Sequence, residues 1–182
     1  MWEDIEKILL REEDILPRLD TLARQINTEY DGKELLLVAL LNGSLIFLAD
    51  LLRRISLPVS FECLRVSSYS GTTSTGTLQF QDLELPAVNK RHVLLIDDIL
   101  ETGVTLDTVR KQFEKKSDAS SVRTCVLLKK RIPLAPQAEA DYFAFEIENE
   151  FVVGYGLDYN ERYRNLPFIA TLNQEAISRW KP

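Results

Sequence analysis

The sequence has few cysteines and histidines, and it has no long hydrophobic run. Its 182 residues include only 2 Cys and 1 His, and Cys63 and Cys125 do not have the spacing of metal ligands. The longest uninterrupted apolar run, Leu35–Leu41, has 7 residues, whereas a membrane-spanning helix needs about 20. The first residues are acidic where a signal peptide would be basic. We therefore expect a cytoplasmic protein with no membrane association and with both thiols reduced and buried.

Basic residues are also in deficit. The chain has 22 Lys and Arg against 28 Asp and Glu, which gives a net charge of −6. This charge argues against a nucleic-acid partner, because binding to the phosphate backbone depends on clustered cations. It still allows a small anionic substrate held by a few cations in a pocket. Length and an ordinary globular composition, with 45% hydrophobic residues, predict one domain over residues 1–182.

Apolar runs that alternate with helical patterns predict an α/β fold with a mainly parallel sheet. Ser44 is a candidate N-cap and Gly32 a candidate C-cap. In such sheets ligands bind at the carboxyl ends of the strands. The predicted strands cover 5–10, 35–41, 58–69, 92–96, 121–128, 142–147 and 151–155, and the predicted helices have apolar faces within 16–26, 45–54, 106–113 and 176–180.

The segment 93–106 combines an apolar strand, an acid pair and a small-residue loop that opens a helix. Asp97 and Asp98 terminate the predicted strand, and the loop follows. Free backbone amides at a helix N-terminus favour a phosphate, while the acid pair suits vicinal hydroxyls or a divalent cation. A ribose 5-phosphate matches both halves. The structural alternative is a pair of acids that only caps the next helix. The loop residues in question are Thr102, Gly103, Val104 and Thr105.

A second segment, 148–167, is rich in aromatic and apolar residues. Phe151 and the Val152-Val153 pair could clamp a flat ring, and Asp158 and Arg164 lie six residues apart beyond them. Arg suits a phosphate and Asp suits a cation. On spacing alone, a β-hairpin with an aromatic-rich surface is the favoured interpretation.

Both segments carry the resemblance to a known family. The string 93–106 resembles the phosphoribosyl pyrophosphate-binding motif of type I phosphoribosyltransferases. The string 151–166 is similar to the signature of hypoxanthine-guanine phosphoribosyltransferases and unlike the adenine and orotate enzymes. The resemblance extends to 41–51, 67–76 and 130–131, and covers the chain from about Ile5 to Leu172.

The resemblance implies a twisted, mainly parallel sheet flanked by helices, with a small hood lobe formed by the chain ends. It implies transfer of the phosphoribosyl group to hypoxanthine or guanine with Mg²⁺, in a dimer or tetramer. One alternative is a transferase for another 6-oxopurine such as xanthine. Another is a non-catalytic regulator that senses phosphoribosyl pyrophosphate and binds nucleic acid, although the acidic charge disfavours it.

The resemblance also implies residue roles for the sugar-phosphate and the proton transfer. Asp97 and Asp98 would hold the ribose hydroxyls and magnesium, and residues 102–105 would cradle the 5-phosphate. Glu101 stands at the position of the general base. The family usually has Asp there, so the geometry of the base is open.

Further implied roles concern the purine and the pyrophosphate. Lys130 would donate to the purine oxygen at C6, Phe151 would stack on the ring, and the Val152 backbone would contact its edge. Asp158 would ligate magnesium, and Arg164 would bind pyrophosphate.

Two loops complete the implied site. The loop with Asn42 and Gly43 would contact pyrophosphate through its backbone, although the family usually has Lys where this chain has Asn42. Ser68 and Tyr69 would belong to a mobile lid.

Overall fold

The structure, a computed structural model, describes residues 1–66, 84–132 and 139–181. A 3₁₀ turn over Trp2–Asp4 precedes the first strand. The strands are β1 (Ile5–Leu10), β2 (Leu35–Leu41), β3 (Val59–Arg65), β4 (His92–Leu100), β5 (Ser121–Arg131), β6 (Tyr142–Glu148) and β7 (Ile169–Leu172), and the helices are α1 (Glu12–Glu29), α2 (Leu45–Leu52), α3 (Val104–Lys116) and α4 (Gln174–Arg179).

Five parallel strands form the main sheet in the order β3-β2-β4-β5-β6. Alternate residues of β2 face opposite sides of this sheet. Leu37 and Ala39 pack with the cluster that includes α1 and α2, whereas Leu36 and Val38 pack with Leu106 and the rest of the buried face of α3. Apolar residues on both faces explain the continuous hydrophobic run of this strand. The predicted parallel sheet flanked by helices is confirmed.

The chain ends form the smaller lobe. β1 pairs antiparallel with β7, so that Ile5 lies opposite Leu172. A separate apolar cluster under this pair contains Tyr163, Phe168 and Ala176 of α4. The predicted hood is therefore confirmed, although β7 itself was not predicted.

The two capping predictions have different outcomes: Ser44 occupies the N-cap position of α2, whereas Gly32 is not the C-cap of α1. The Ser44 hydroxyl makes no cap hydrogen bond to α2 and instead donates to the Leu40 carbonyl over 2.5 Å. α1 ends at Glu29 with Tyr30 as its C-cap, two residues before Gly32. Its buried face includes Ile15, whereas the predicted Leu16 is only partly buried.

Two strands continue past their predicted ends. β4 reaches Leu100 and β5 reaches Arg131, because parallel pairing persists as far as Leu100 opposite Lys129. Asp97 and Asp98 therefore lie within β4 instead of terminating it. The predicted strand 151–155 is absent from the described chain, which has only isolated bridges there, since Gly154 and Tyr155 have positive φ. Positive φ is incompatible with extended strand geometry.

The predictions for the thiols and for the membrane have separate outcomes. Cys125 is buried as expected, but Cys63 is exposed on the edge strand β3. Residues 67–69 of the predicted strand 58–69 lie outside the described residues. Within the described part of the chain, no helix is long and apolar enough to cross a membrane.

Candidate active site

A cavity of about 370 Å³ opens at the carboxyl ends of β2 and β4, where a parallel sheet is expected to bind its ligand. The loop after β2, the end of β4, the start of α3 and a turn near the chain end converge on it. The cavity brings together most of the predicted site residues, namely Asn42, Gly43, Asp97, Asp98, Glu101, Thr102, Gly103, Val104, Thr105, Asp158 and Arg164.

The acid pair forms one wall of this cavity. The Asp98 amide donates to Asp97 Oδ1 over 3.0 Å, and the Ile99 amide donates to Asp98 Oδ1 over 3.0 Å. Burial, reinforced by the charge of Asp98, raises the pKa of Asp97 well above its ordinary value. Burial also raises the pKa of Asp98, although Arg164 partly opposes this change. Ionisation of the pair is costly until hydroxyls or a cation replace the lost water.

The raised pKa of Asp97 leads to a stability prediction. Its folded-state pKa exceeds the unfolded value, so ionisation favours the unfolded state and stability falls as pH rises through that interval. We expect Asp97→Asn to raise the melting temperature in metal-free buffer at pH 7.5. The gain should shrink as pH falls and vanish near about pH 2.5, well below the unfolded-state pKa of 3.8, where the carboxyl is protonated in both states.

Asp118→Asn is the matched control, because Asp118 is exposed after α3. Its melting temperature should follow that of the wild type at both pH values. A decrease for Asp97→Asn at pH 7.5, measured by scanning calorimetry, would contradict the prediction.

The loop between β4 and α3 has the features of an anion site. Gly103 takes φ +76° and lies directly before the first helical residue. The Val104 amide has only a 3.5 Å contact with the Thr102 hydroxyl, and the first amides of a helix lack intrahelical partners. These donors and the positive end of α3 face the cavity and suit a phosphate.

Two glycines allow three segments to meet beside Asp98. A Cβ on Gly43 would lie 1.7 Å from Asp98 Oδ2, and a Cβ on Gly156 would lie 2.1 Å from the Gly43 carbonyl oxygen. Any side chain at either position would separate the segments. The sequence analysis did not identify Gly156 as a site residue, although its place two residues after Gly154 indicated an unusual turn.

Asp158 and Arg164 form an ion pair at the mouth of the cavity, with 2.8 Å between Oδ1 and Nη2. The Arg164 Nη1 donates to the Gly156 carbonyl over 2.7 Å, and the Glu161 amide donates to Asp158 Oδ2 over 2.8 Å. Both ionic side chains are about one-third exposed. Arg164 can therefore reach an anion that enters the cavity, and Asp158 can reach a cation bound to that anion.

Glu101 and Lys130 form an ion pair with each other, which the sequence analysis did not foresee. They line a neighbouring cavity of about 260 Å³. The Lys130 side chain is only 7% exposed, whereas that of Glu101 is 51% exposed. The carboxylate is therefore the partner that can move when a ligand enters.

Phe151 and Val152 do not line either cavity. Phe151 is exposed and packs edge-to-face on Tyr159, with 5.6 Å between ring centroids. Val152 is buried. Ser68 and Tyr69, the predicted lid, lie outside the described residues.

The donor set fits a magnesium ion that is shared with a substrate. Among the described residues, no group of three or more His, Cys, Asp or Glu side chains has a metal-holding arrangement. Mg²⁺ commonly takes one or two protein carboxylates and completes its shell with substrate phosphates and water. Asp97, Asp98 and Asp158 all line the cavity and match that need.

Comparisons with known proteins identify relatives over almost the whole chain. The family model described as phosphoribosyl transferase domain matches residues 6–160. The hypoxanthine-guanine phosphoribosyltransferase of Streptococcus pneumoniae R6 is 42% identical over 96% of this chain and 97% of its own length.

Solved structures of similar proteins have the same fold. A hypoxanthine phosphoribosyltransferase from Staphylococcus aureus is 42% identical, with a TM-score of 0.86 over 96% of this chain and 95% of that one. A variant of the hypoxanthine phosphoribosyltransferase from Trypanosoma cruzi, in a ternary complex with substrates, is 37% identical. Its TM-score is 0.85 over 96% of this chain and 98% of that one.

Proposed function

The chain belongs to the hypoxanthine-guanine phosphoribosyltransferase family, and we propose that the cavity at the ends of β2 and β4 is its active site. The enzyme transfers the 5-phosphoribosyl group of phosphoribosyl pyrophosphate to hypoxanthine or guanine. The products are the nucleoside monophosphate and pyrophosphate, which is the chemistry of purine salvage. The observation that carries the assignment of the site is the acid pair facing the open N-terminus of α3.

The sugar-phosphate binds between these two features. Asp97 and Asp98 accept hydrogen bonds from the ribose hydroxyls, and the 102–105 loop donates its amides and hydroxyls to the 5-phosphate. Burial favours the neutral form of both carboxyls. Hydrogen bonds from the ribose hydroxyls and a bound cation would therefore lower the cost of ionising them. Contacts to both the ribose hydroxyls and the 5-phosphate hold the anomeric carbon between the acid pair and the 102–105 loop.

The leaving pyrophosphate lies at the cavity mouth. Arg164 binds it, and the backbone of Asn42 and Gly43, which line the same cavity, also contacts it. Asp158 and the acid pair would hold a magnesium ion, and the chemistry that this ion would supply is partial neutralisation of the pyrophosphate charge. Stabilising the leaving group matters because the carbon–oxygen bond breaks with separation of charge.

The purine binds next to the Glu101–Lys130 ion pair. Lys130 donates to the oxygen at C6, which replaces Glu101 as its acceptor. The freed Glu101 accepts the proton from N7 while N9 forms the new bond to the anomeric carbon. Phe151 stacks on the ring and the Val152 backbone contacts its edge, which requires Phe151 to turn from its present contact with Tyr159.

Further parts of the proposal concern the whole protein. Residues 1–182 form one domain, the protein acts in the cytoplasm, and it assembles into a dimer or tetramer.

A substrate panel tests the function directly. Hypoxanthine, guanine, xanthine and adenine are each supplied with magnesium and phosphoribosyl pyrophosphate, and pyrophosphate release is measured. Turnover of hypoxanthine and guanine is expected. Turnover of xanthine alone would identify the related 6-oxopurine transferase, and no turnover with any base would contradict the assignment.

A further inference from the structure

The turn over residues 154–164 has an unusual backbone for a segment that carries two site residues. Asp158 and Arg164 both lie on it. Residues other than glycine rarely adopt positive φ, and such conformations persist only where surrounding contacts enforce them. In this turn φ is positive at Gly154, Tyr155, Gly156, Asn160, Glu161 and Tyr163.

Tyr155 connects the turn to α2. Its side chain is buried, and its hydroxyl donates to Asp50 Oδ2 over 2.5 Å. Asp50 lies on α2, which begins directly after the loop of Asn42 and Gly43. The bond therefore joins the turn to the helix that follows the loop of Asn42 and Gly43, and both the turn and the loop line the cavity.

Tyr163 connects the other end of the turn to the hood. It is also buried, and its hydroxyl donates to Asp4 Oδ2 over 3.0 Å. Arg179 of α4 donates to the other oxygen of Asp4, also over 3.0 Å. Burial alone would raise the pKa of Asp4, but the Tyr163 hydroxyl, the N-terminal amine and Arg179 together lower it. The acceptor is therefore a carboxylate at neutral pH.

Backbone hydrogen bonds between the two ends make the turn a single unit. The Tyr155 amide donates to the Leu166 carbonyl over 2.8 Å, and the Gly156 amide donates to the Arg164 carbonyl over 3.0 Å. Gly156 also packs against the Gly43 carbonyl. A shift at either tyrosine would therefore move Arg164 relative to the loop after β2.

We propose that Tyr155 and Tyr163 are positioning residues for phosphoribosyl pyrophosphate: their hydrogen bonds to Asp50 and Asp4 fix the turn that presents Asp158 and Arg164. Neither hydroxyl touches the substrate. Each acts through the backbone of the turn, at opposite ends of it. The inference rests on the proposed function, because the roles of Asp158 and Arg164 belong to that proposal.

The test compares three variants that each lose one tyrosine hydroxyl. In Tyr155→Phe and Tyr163→Phe we expect KM for phosphoribosyl pyrophosphate to rise about 10-fold, while KM for hypoxanthine changes less than about 2-fold; hydrogen bonds to charged groups account for this order of effect. Tyr142→Phe is the control, because Tyr142 donates to Glu29 at the opposite end of the sheet. It should lose thermal stability without any change in either KM.

A second measurement does not depend on turnover. Each variant is heated with and without magnesium and phosphoribosyl pyrophosphate, and the rise in melting temperature on ligand addition is compared. We expect a smaller rise in both positioning variants than in the wild type and Tyr142→Phe. If either Phe variant does not fold, Asp50→Asn or Asp4→Asn replaces it, since each weakens the same bond from the acceptor side.

The outcomes separate the two proposals. If the wild type gains no thermal stability from phosphoribosyl pyrophosphate and turns over no base, the proposed function fails. If the wild type gains stability and both Phe variants gain as much with unchanged KM, the positioning role is overturned. An equal rise in KM for both substrates would also overturn it, because a general loss of structure has no preference for one ligand.

Discussion

Adenine should be a substrate about 10⁴-fold worse than hypoxanthine, measured as the ratio of kcat/KM values. Lys130 is the cation at the proposed purine edge, and its side chain is almost fully buried. A 6-oxo group accepts from the Lys130 ammonium, whereas a 6-amino group would place donor against donor. Unpaired buried polar groups produce discrimination of this order.

Lys130→Met should remove most of that discrimination. The substitution keeps an unbranched side chain, one atom shorter, and removes its charge, so kcat/KM for hypoxanthine should fall while that for adenine changes little. Lys111→Met is the matched control, since Lys111 also pairs with an acid, Asp107, but on the outer face of α3. Efficient use of adenine by the wild type would contradict the role of Lys130.

The sequence predicted the bounds of strands well where the hydrophobic pattern ends at the same residue as the strand. The bounds of β1 and β2 were predicted correctly, and for β2 the signal was an unbroken apolar run that ends at Asn42-Gly43. The ends of β4 and β5 were underestimated, since charged residues were taken as the end of each strand. In this fold the last residues of those strands face a cavity, so pairing continues while the side chains become polar.

The sequence also predicted most residues that line the proposed active site, but not their contacts with each other. Motif and resemblance identified Asp98 and Arg164, which lie 66 residues apart and line the same cavity. The ion pair of Glu101 with Lys130 depends on the register between β4 and β5. The bond from Tyr163 to Asp4 spans 159 residues. Such contacts come from tertiary packing, for which a local pattern has no signal.

Glu101→Gln should lower kcat by about 10²- to 10⁴-fold, the usual contribution of a general base. The amide keeps the size of the side chain but cannot accept the proton from purine N7. KM for phosphoribosyl pyrophosphate should change little, because Glu101 does not contact the sugar-phosphate in the proposed complex. Glu101→Asp restores the residue usual in the family and should retain substantial activity.

The alternative role for Glu101 is only structural. It would pair with Lys130, and as an acid near the N-terminus of α3 it would stabilise the fold by about 0.3–1 kcal/mol. Under that alternative Glu101→Gln would lower the melting temperature slightly and leave kcat intact. Glu114→Gln provides the control, since Glu114 pairs with Arg110 on the exposed face of α3 and should affect only stability. Steady-state kinetics and melting temperatures of the three variants separate the two roles. A fully active Glu101→Gln enzyme would exclude general-base catalysis by this residue and would leave the proton at N7 to solvent or to another group in the site.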